Sequence, residues 1–435
     1  MVMKKDYSYT RKSKTKFCNF KKEFIDYIRT MKNFSKIINS FWGIGLSKNE
    51  IITLKLFIKT IKLHLNKRSV DDISKMLKIP KRRITRWVYG ICLPRPARFL
   101  QYYIENHKKL PKGWKLLSIN STRGGLFTGP WIYVPEKINN YNTLLKVINQ
   151  LNPLPIVFEK LKNFSFRSIK KYQPLFFAYL LGVLVGDSRK YGIKRKGRTT
   201  RRIGLSLTKR YLSNKRFGEF VTFCALSLGL RMKKIKDENY RNGKYSFFRW
   251  SSQCSALFEW IYNVCLGLKE DQLTTYTPIK ANWILTAPRE FKIWFLQGLA
   301  DSDGYVDFNS FQAGIISTPN TKLIKNLIES LNVKCSVKKF KRDCLEAVVM
   351  SINDAYKIPL FSPIVKSYRY IQMEKLATAK RLKWHMPKKL RKKIEKYLIM
   401  GLRGSTLVKV LLEKENIRIR TKSIRRLEKN LLVCK

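Results

Sequence analysis

The chain has 435 residues and carries 90 Lys and Arg against 29 Asp and Glu, a formal net charge of +61. Such an imbalance repels itself in a compact state and attracts polyanions, so nucleic acid is the expected partner, while 44% apolar residues leave ample material for packed cores. Eight cysteines without a C-x-x-C pair and three scattered histidines exclude zinc-finger spacing, and with no phosphate-binding glycine loop no nucleotide cofactor is expected.

Residues 1–48 are basic and aromatic, with a helix expected over Phe24–Ile38. The opening MVMKKDYSYTRKSK lacks an apolar signal core, so a cytoplasmic protein is expected. From Asn49 the run NEIITLKLFIKTIKLHL has helical spacing, and SVDDISKMLKIPKRRITRWVYG follows it. Ser69 suits an N-cap, and Asp71 and Asp72 suit a first turn. Ile73, Met76 and Leu77 predict one apolar face, Lys78-Ile79-Pro80 a turn, and Ile84, Trp87 and Val88 the inward face of a second helix. The pattern reads as a helix-turn-helix domain over 49–110, with Lys81, Arg82, Arg83 and Arg86 exposed toward DNA on the second helix. A plain two-helix hairpin is the other reading. Residues 111–172 hold Pro, Gly and Asn clusters and read as a connector with strands at Trp114–Ile119 and Pro130–Val134.

Two stretches then look like copies of one motif, LLGVLVGDS (Leu180–Ser188) and LQGLADSDG (Leu296–Gly304). Alignment sets Gly182 on Gly298, Gly186 on Ser302 and Asp187 on Asp303. Each small pair is spaced i, i+4, a strip of missing side chain along one helix face that lets two backbones approach closely. Face-to-face packing would bring Asp187 and Asp303 out side by side. Adjacent carboxylates at helix C-termini repel unless a cation lies between them, so a divalent-metal site is expected. The apolar run from Pro174 to Gly186 is shorter than the ~20 residues that span a bilayer, and it predicts a buried helix and no membrane partner.

After each acid the same order recurs. In the first copy, strands on either side of a basic turn lead to a helix at Phe217–Leu228, strands at Arg231–Lys236 and Tyr245–Ser251, and a helix at Ala256–Val264. In the second, strands at Tyr305–Phe308 and Ala313–Ser317 precede a helix at Thr321–Leu331. Strands at Lys334–Phe340 and Leu345–Ser351 and a helix near Asn353–Ile358 complete it. Gly204 matches Gly314, and Leu228 matches Leu331, giving one αββαββα unit per copy. The first hairpin carries a dense patch of Lys194, Arg195, Lys196, Arg198, Arg201 and Arg202, suited to a two-stranded ribbon in a major groove. The second is far less basic and holds Asp307, Asn309, Ser310 and Gln312, which suits an asymmetric target. The tail from Pro387 reads as three helices, with Ser405 and Thr421 as N-caps. It is either a second helix-turn-helix with Lys422, Arg425 and Arg426 toward DNA, or a solvated basic tail.

The paired stretches resemble the motifs of LAGLIDADG homing endonucleases, over roughly Tyr172–Ala379. The second copy, FLQGLADSDGYVDF, is close; the first holds Val185 where an acid is usual and Ser188 in place of the final glycine. The resemblance implies an α+β fold of two pseudo-twofold-related αββαββα repeats, with saddle-like antiparallel sheets that straddle double-stranded DNA, flanked here by helical helix-turn-helix modules. Combined with the segments read above, the expected organisation is 1–48 basic segment, 49–110 helix-turn-helix, 111–172 connector, 173–285 and 286–379 repeats, and 380–435 basic helical helix-turn-helix-like module. It implies a site-specific endonuclease making double-strand breaks by phosphodiester hydrolysis, a monomer acting as a pseudo-dimer, with Asp187 and Asp303 as catalytic metal ligands. Magnesium, or another divalent cation, suits a site with few protein ligands and several waters. Lys190 and Lys209 are candidate basic residues near the acids. Competing readings are a DNA-binding regulator that keeps the core as a scaffold, and an RNA-splicing maturase.

Overall fold

A computed structural model describes residues 22–30, 48–106, 110–122, 126–157, 166–187, 189–195, 198–240, 245–253, 255–269, 272, 277–340, 345–381, 387–421, 423–426 and 428. The chain divides into two compact units, 1–117 and 118–435.

The first unit is helical: α1 (Lys22–Thr30), α2 (Lys48–Leu65), α3 (Val70–Leu77), α4 (Lys81–Val88) and α5 (Arg95–Asn106). Helix α1 is described as far as Thr30, and the rest of the expected Phe24–Ile38 helix lies outside the described residues. Phe24 and Ile28 of α1 are buried, and Tyr27 meets Tyr103 edge-on at 6.1 Å. The Ser69 side chain caps α3 by accepting the Asp72 N–H at 3.0 Å, and its hydroxyl donates back to the Asp72 carboxylate at 2.7 Å. Lys78 closes α3 in the left-handed conformation, and three residues, Lys78–Pro80, join it to α4. Ile73, Ile79, Ile84, Trp87 and Val88 are buried with Leu54, Phe57 and Ile61 of α2, Phe57 meeting Trp87 at 5.8 Å. Met76, expected on the inward face, is 56% exposed. At 100° per residue Leu77 lies about 40° to one side of Ile73 and Met76 about 60° to the other. The buried Ile79 that follows Leu77 fixes which side turns inward.

The second unit opens with β1 (Trp114–Thr122, whose first residues lie before the unit boundary), β2 (Leu126–Pro135) and α6 (Tyr141–Ile148), β1 pairing with β2. This expected connector is docked on the core that follows. Trp260 Nε1 donates to Pro135 O at 2.9 Å, Ser255 donates to Ile119 O, and the Leu154 N–H reaches Leu226 O at 3.0 Å. Tyr141 packs its ring on Phe291 at 5.1 Å.

The first repeat runs α7 (Phe166–Val185), β3 (Arg189–Arg195), β4 (Arg198–Thr208), α8 (Ser213–Ser227), β5 (Met232–Tyr240), β6 (Tyr245–Ser252) and α9 (Ala256–Trp260), which continues as a π-helical turn to Cys265. Helix α7 begins well before Pro174, which sits inside it. A proline there forfeits the bond to the carbonyl of Lys170. Side chains beside it anchor the helix instead: Gln173 Nε2 donates to Ser227 O at 2.7 Å and Leu151 O at 3.2 Å. A 3₁₀ turn (Asn282–Thr286) leads to the second repeat: α10 (Arg289–Asp303), β7 (Gly304–Asp307), β8 (Gln312–Ile316), α11 (Thr321–Glu329), β9 (Cys335–Phe340), β10 (Leu345–Ser351) and α12 (Ile352–Lys357).

The sheets share one topology, β3-β4-β6-β5 and β7-β8-β10-β9, antiparallel throughout. Their registers also correspond. The residue two past each acid, Arg189 or Tyr305, pairs with Gly204 or Gly314. The turns after α8 and α11 place Gly229 (φ +78°) and Asn332 (φ +62°) in the left-handed region, one residue past the matched Leu228 and Leu331. Among the described residues no helix is long and apolar enough to cross a membrane.

The chain ends with α13 (Tyr368–Thr378), β11 (Lys380–Arg381), α14 (Lys388–Ile399), α15 (Gly404–Glu415) and β12 (Ile417–Arg418), followed by helical residues at Ser423–Arg426. This tail has its own core of Leu390, Ile394, Leu398, Leu407, Val408, Leu411, Ile419 and Ile424, which sets aside the reading of a solvated extension. Ser405 is not a cap: α15 starts one residue earlier, and the Gly404 N–H is accepted by the Glu428 carboxylate at 2.9 Å.

Candidate active site

Helices α7 and α10 pack backbone to backbone, and glycine is what permits it. A Cβ on Gly182 would stand 2.1 Å from Phe295 O, and a Cβ on Gly298 would stand 2.1 Å from Tyr179 O. The contact is reciprocal, since each struck carbonyl lies three residues before the facing glycine. One turn further on, a Cβ on Gly186 would be 2.5 Å from Ser302 Cβ and 3.0 Å from Asp303 Oδ2. Gly182, Gly186, Gly298 and Ser302 therefore all line the contact, with Ser302 Oγ turned back to donate to Gly298 O at 3.0 Å. Around it, Phe176, Tyr179, Phe220, Phe223 and Trp294 form an aromatic cluster that holds both helices from one side.

This crossing delivers Asp187 and Asp303 to the same end. Asp187 is exposed and Asp303 half-buried. Burial first, and then the negative charge of Asp187, push the Asp303 carboxyl up to about 7, against the pull of the Arg369 guanidinium. A divalent cation between the two would relieve that repulsion, so the donor pair fits one. Among the described residues no group of three or more His, Cys, Asp or Glu side chains could hold a metal. A cation here would complete its shell with water and phosphate oxygens, as magnesium readily does.

Two further groups at the site carry no sequence signal. Asp301, two residues before Asp303 and fully buried, accepts from Tyr179 Oη at 2.8 Å and from Ser367 Oγ at 3.3 Å. Burial outweighs those bonds and raises its carboxyl to about 7. Asp301 thus ties α10 to α7 and to the cap of α13, while the Asp303 carboxylate lies beside Gly186 at the helix contact. Arg369, in the first turn of α13, donates to Asp301 O at 2.7 Å and lies within electrostatic reach of Asp303. Both depend on partners distant in the chain, which spacing along the sequence does not reveal.

The sign of the Asp303 shift has a measurable consequence. A carboxyl whose folded pKa is raised from 3.8 to about 7 stabilises the fold at low pH and loses that contribution as pH rises between those values. Asp301 titrates over the same window. In EDTA the melting temperature is expected to fall from pH 5 to pH 8, and to fall less in Asp303→Asn; equal slopes would deny the raised Asp303 carboxyl.

The expected basic residues are dispersed. Lys209 is held by Asp237 at 2.9 Å, with its ammonium 5.5 Å from the Phe248 ring centroid, and so is committed to the outer strand β5. The side chains of Lys190, Lys194, Arg195, Arg198 and Arg201, with all of Lys196 and Lys422, lie outside the described residues; the backbones of the five lie in β3 and β4. Arg202 is half-buried. On α4, Arg82, Arg83 and Arg86 are exposed, whereas Lys81 pairs with Asp71 across the turn at 2.7 Å. Arg425 and Arg426 are exposed.

No protein-family model matches the chain, and no curated protein does. Similar solved structures include the homing endonuclease I-DmoI in complex with DNA and Mn, at 18% identity over 45% of this chain and 99% of that one, with a TM-score of 0.32. The homing endonuclease I-WcaI bound to its DNA recognition sequence is similar at 16% identity over 49% and 97%, TM-score 0.33. The N-terminal LAGLIDADG domain of DUF199/WhiA is similar at 13% identity over 55% and 99%, TM-score 0.29.

Proposed function

We propose that the chain is a site-specific DNA endonuclease of the LAGLIDADG homing type, which makes double-strand breaks by metal-dependent phosphodiester hydrolysis. The observation that carries this reading is the reciprocal glycine contact, which sets Asp187 and Asp303 against each other at the mouth of one helix crossing. A scaffold that only bound DNA would have no use for a half-buried carboxylate kept facing a second one. Magnesium held by the two acids and by DNA phosphate oxygens would activate a water and neutralise the attacked phosphate.

The chain's own groups have definable tasks. Asp187 and Asp303 each serve one strand of the duplex. The Arg369 guanidinium pulls against burial and the Asp187 charge, which leave the Asp303 carboxyl at about 7, so that Asp303 ionises as pH rises through neutral. The β3–β4 ribbon, with Lys194, Arg195, Lys196, Arg198, Arg201 and Arg202, enters the major groove of one half-site, and Arg82, Arg83 and Arg86 of α4 read a flanking sequence. The protein acts as a monomer, its two repeats taking the place of a dimer.

Incubating the chain with a randomised duplex library in magnesium or in EDTA, then sequencing the new ends, tests this. Ends confined to one asymmetric sequence and seen only with magnesium are expected. A folded chain that binds DNA and yields no ends with magnesium would favour the regulator reading.

A further inference from the structure

The two hairpins that follow the acids are unequal in reach. Strand β3 has 7 residues where β7 has 4, and β4 has 11 where β8 has 5. At about 3.3 Å per residue the second ribbon stops about 10 Å short of the first, or roughly three base steps along a duplex. Its polar turn is also spoken for. Asp307 accepts from the Asn309 N–H at 2.9 Å and from Ser310 Oγ at 2.6 Å, and Ser310 also reaches Gln312 at 3.1 Å. The Asn309 side-chain oxygen accepts from Thr421 of the tail. These side chains are therefore engaged within the hairpin and with the tail.

The C-terminal module sits where that ribbon ends. Strands β11 and β12 pair in parallel, and Arg418 Nη1 donates to Asn353 Oδ1 at 3.0 Å and Leu376 O at 2.8 Å. Its guanidinium lies 5.9 Å from the centroid of Phe311, the turn residue beside Ser310. Thr421, bonded to Asn309, starts the last helical segment, so that segment begins on the hairpin turn. At 1.5 Å per residue, Arg425 and Arg426 stand only about 6–8 Å beyond Thr421 along the helix. Both are exposed, as is Arg420 on the rim of a cleft between module and hairpin that Ser310, Gln312 and Asn353 also line.

We propose that the C-terminal module is the DNA-reading extension of the second repeat: it replaces the missing outer part of the β7–β8 ribbon, with Arg420, Arg425 and Arg426 engaging the outer flank of that half-site. The inference rests on the reading of the core as a DNA endonuclease only in taking duplex DNA as the ligand. The described residues of the C-terminal module and the second repeat would then form one reading surface, matched on the other half-site by the longer β3–β4 ribbon alone.

Hydroxyl-radical footprints in EDTA on a duplex selected by the full chain test this without cleavage. Arg195→Ala/Arg198→Ala/Arg201→Ala is expected to lose protection on one flank, and Arg425→Ala/Arg426→Ala on the opposite flank. The tail variant should also lower the slope of log K against log salt by about 1.8, from two phosphate contacts. Arg425→Lys/Arg426→Lys should restore the slope, which a purely structural role would not require. Loss on the same flank as the ribbon variant, or an unchanged footprint and slope, would overturn the proposal even if the chain cuts DNA. Loss of the opposite flank in a chain that never cuts would uphold it and remove the endonuclease reading instead.

Discussion

Asp187→Asn and Asp303→Asn are each expected to slow double-strand cleavage by at least about 10³-fold, while DNA affinity in calcium stays within a few-fold of wild type. Asparagine keeps the shape of aspartate and removes the charge that a cation needs. On the proposed reading, in which each acid serves one strand, any product left by a single variant should be nicked rather than broken. Removing Asp187 should also return the Asp303 carboxyl toward its ordinary range, since the Asp187 charge is among the causes of its rise. A single variant that makes double-strand breaks at the wild-type rate would show that the two acids are not the reacting centre.

Gly182→Ala and Gly298→Ala are expected to be the most damaging single-methyl changes in the chain. The new Cβ would lie 2.1 Å from a backbone carbonyl oxygen in either case, a contact that only a shift of the helix backbones themselves can relieve. Overpacking of an ordinary core costs about 1–3 kcal/mol, and a clash between two helix backbones belongs at or above the top of that range. The helices must separate, and the acids with them, so cleavage should fall further than the lost stability accounts for. Ser302→Ala is the control. It adds no atom to the contact and gives up only a bond within α10 to Gly298 O, so it should cost under about 1 kcal/mol. Chemical denaturation of the three variants separates these cases, and a Gly298→Ala variant as stable as wild type would contradict the packing.

The helix crossing was legible in the sequence because close backbone approach tolerates so few residues. Gly182, Gly186, Gly298 and Ser302 at i, i+4 spacing admit few other arrangements, and the acids at the ends of both strips follow from it. The recurrence of elements after each acid was legible as well: Gly204 and Gly314, matched along the sequence, hold the same register in each sheet. What escaped is what depends on partners distant in sequence. Asp301 has the same residue type as Asp303 two positions on, and only Tyr179 and Ser367 around it make it an anchor. Arg369 lies in a helix with no motif of its own. The pairing of Lys209 with Asp237 of β5 likewise joins residues far apart in the sequence. The tail's alternation of basic and apolar residues fitted either a solvated extension or a folded module. Ile419 and Ile424 decide it by closing a core with Leu390, Ile394 and Leu398 of α14, from beyond the whole of α15.

Cation binding by the two acids in the presence of DNA is the most direct consequence of this arrangement. Manganese titration of the full chain bound to its selected duplex at pH 8, followed by electron paramagnetic resonance, measures it without relying on turnover. Bound manganese is expected in the wild-type complex, reduced in Asp187→Asn and Asp303→Asn, and lost when both changes are combined. A double variant whose complex binds as much manganese as wild type, with the same affinity, would contradict a metal site at the helix crossing.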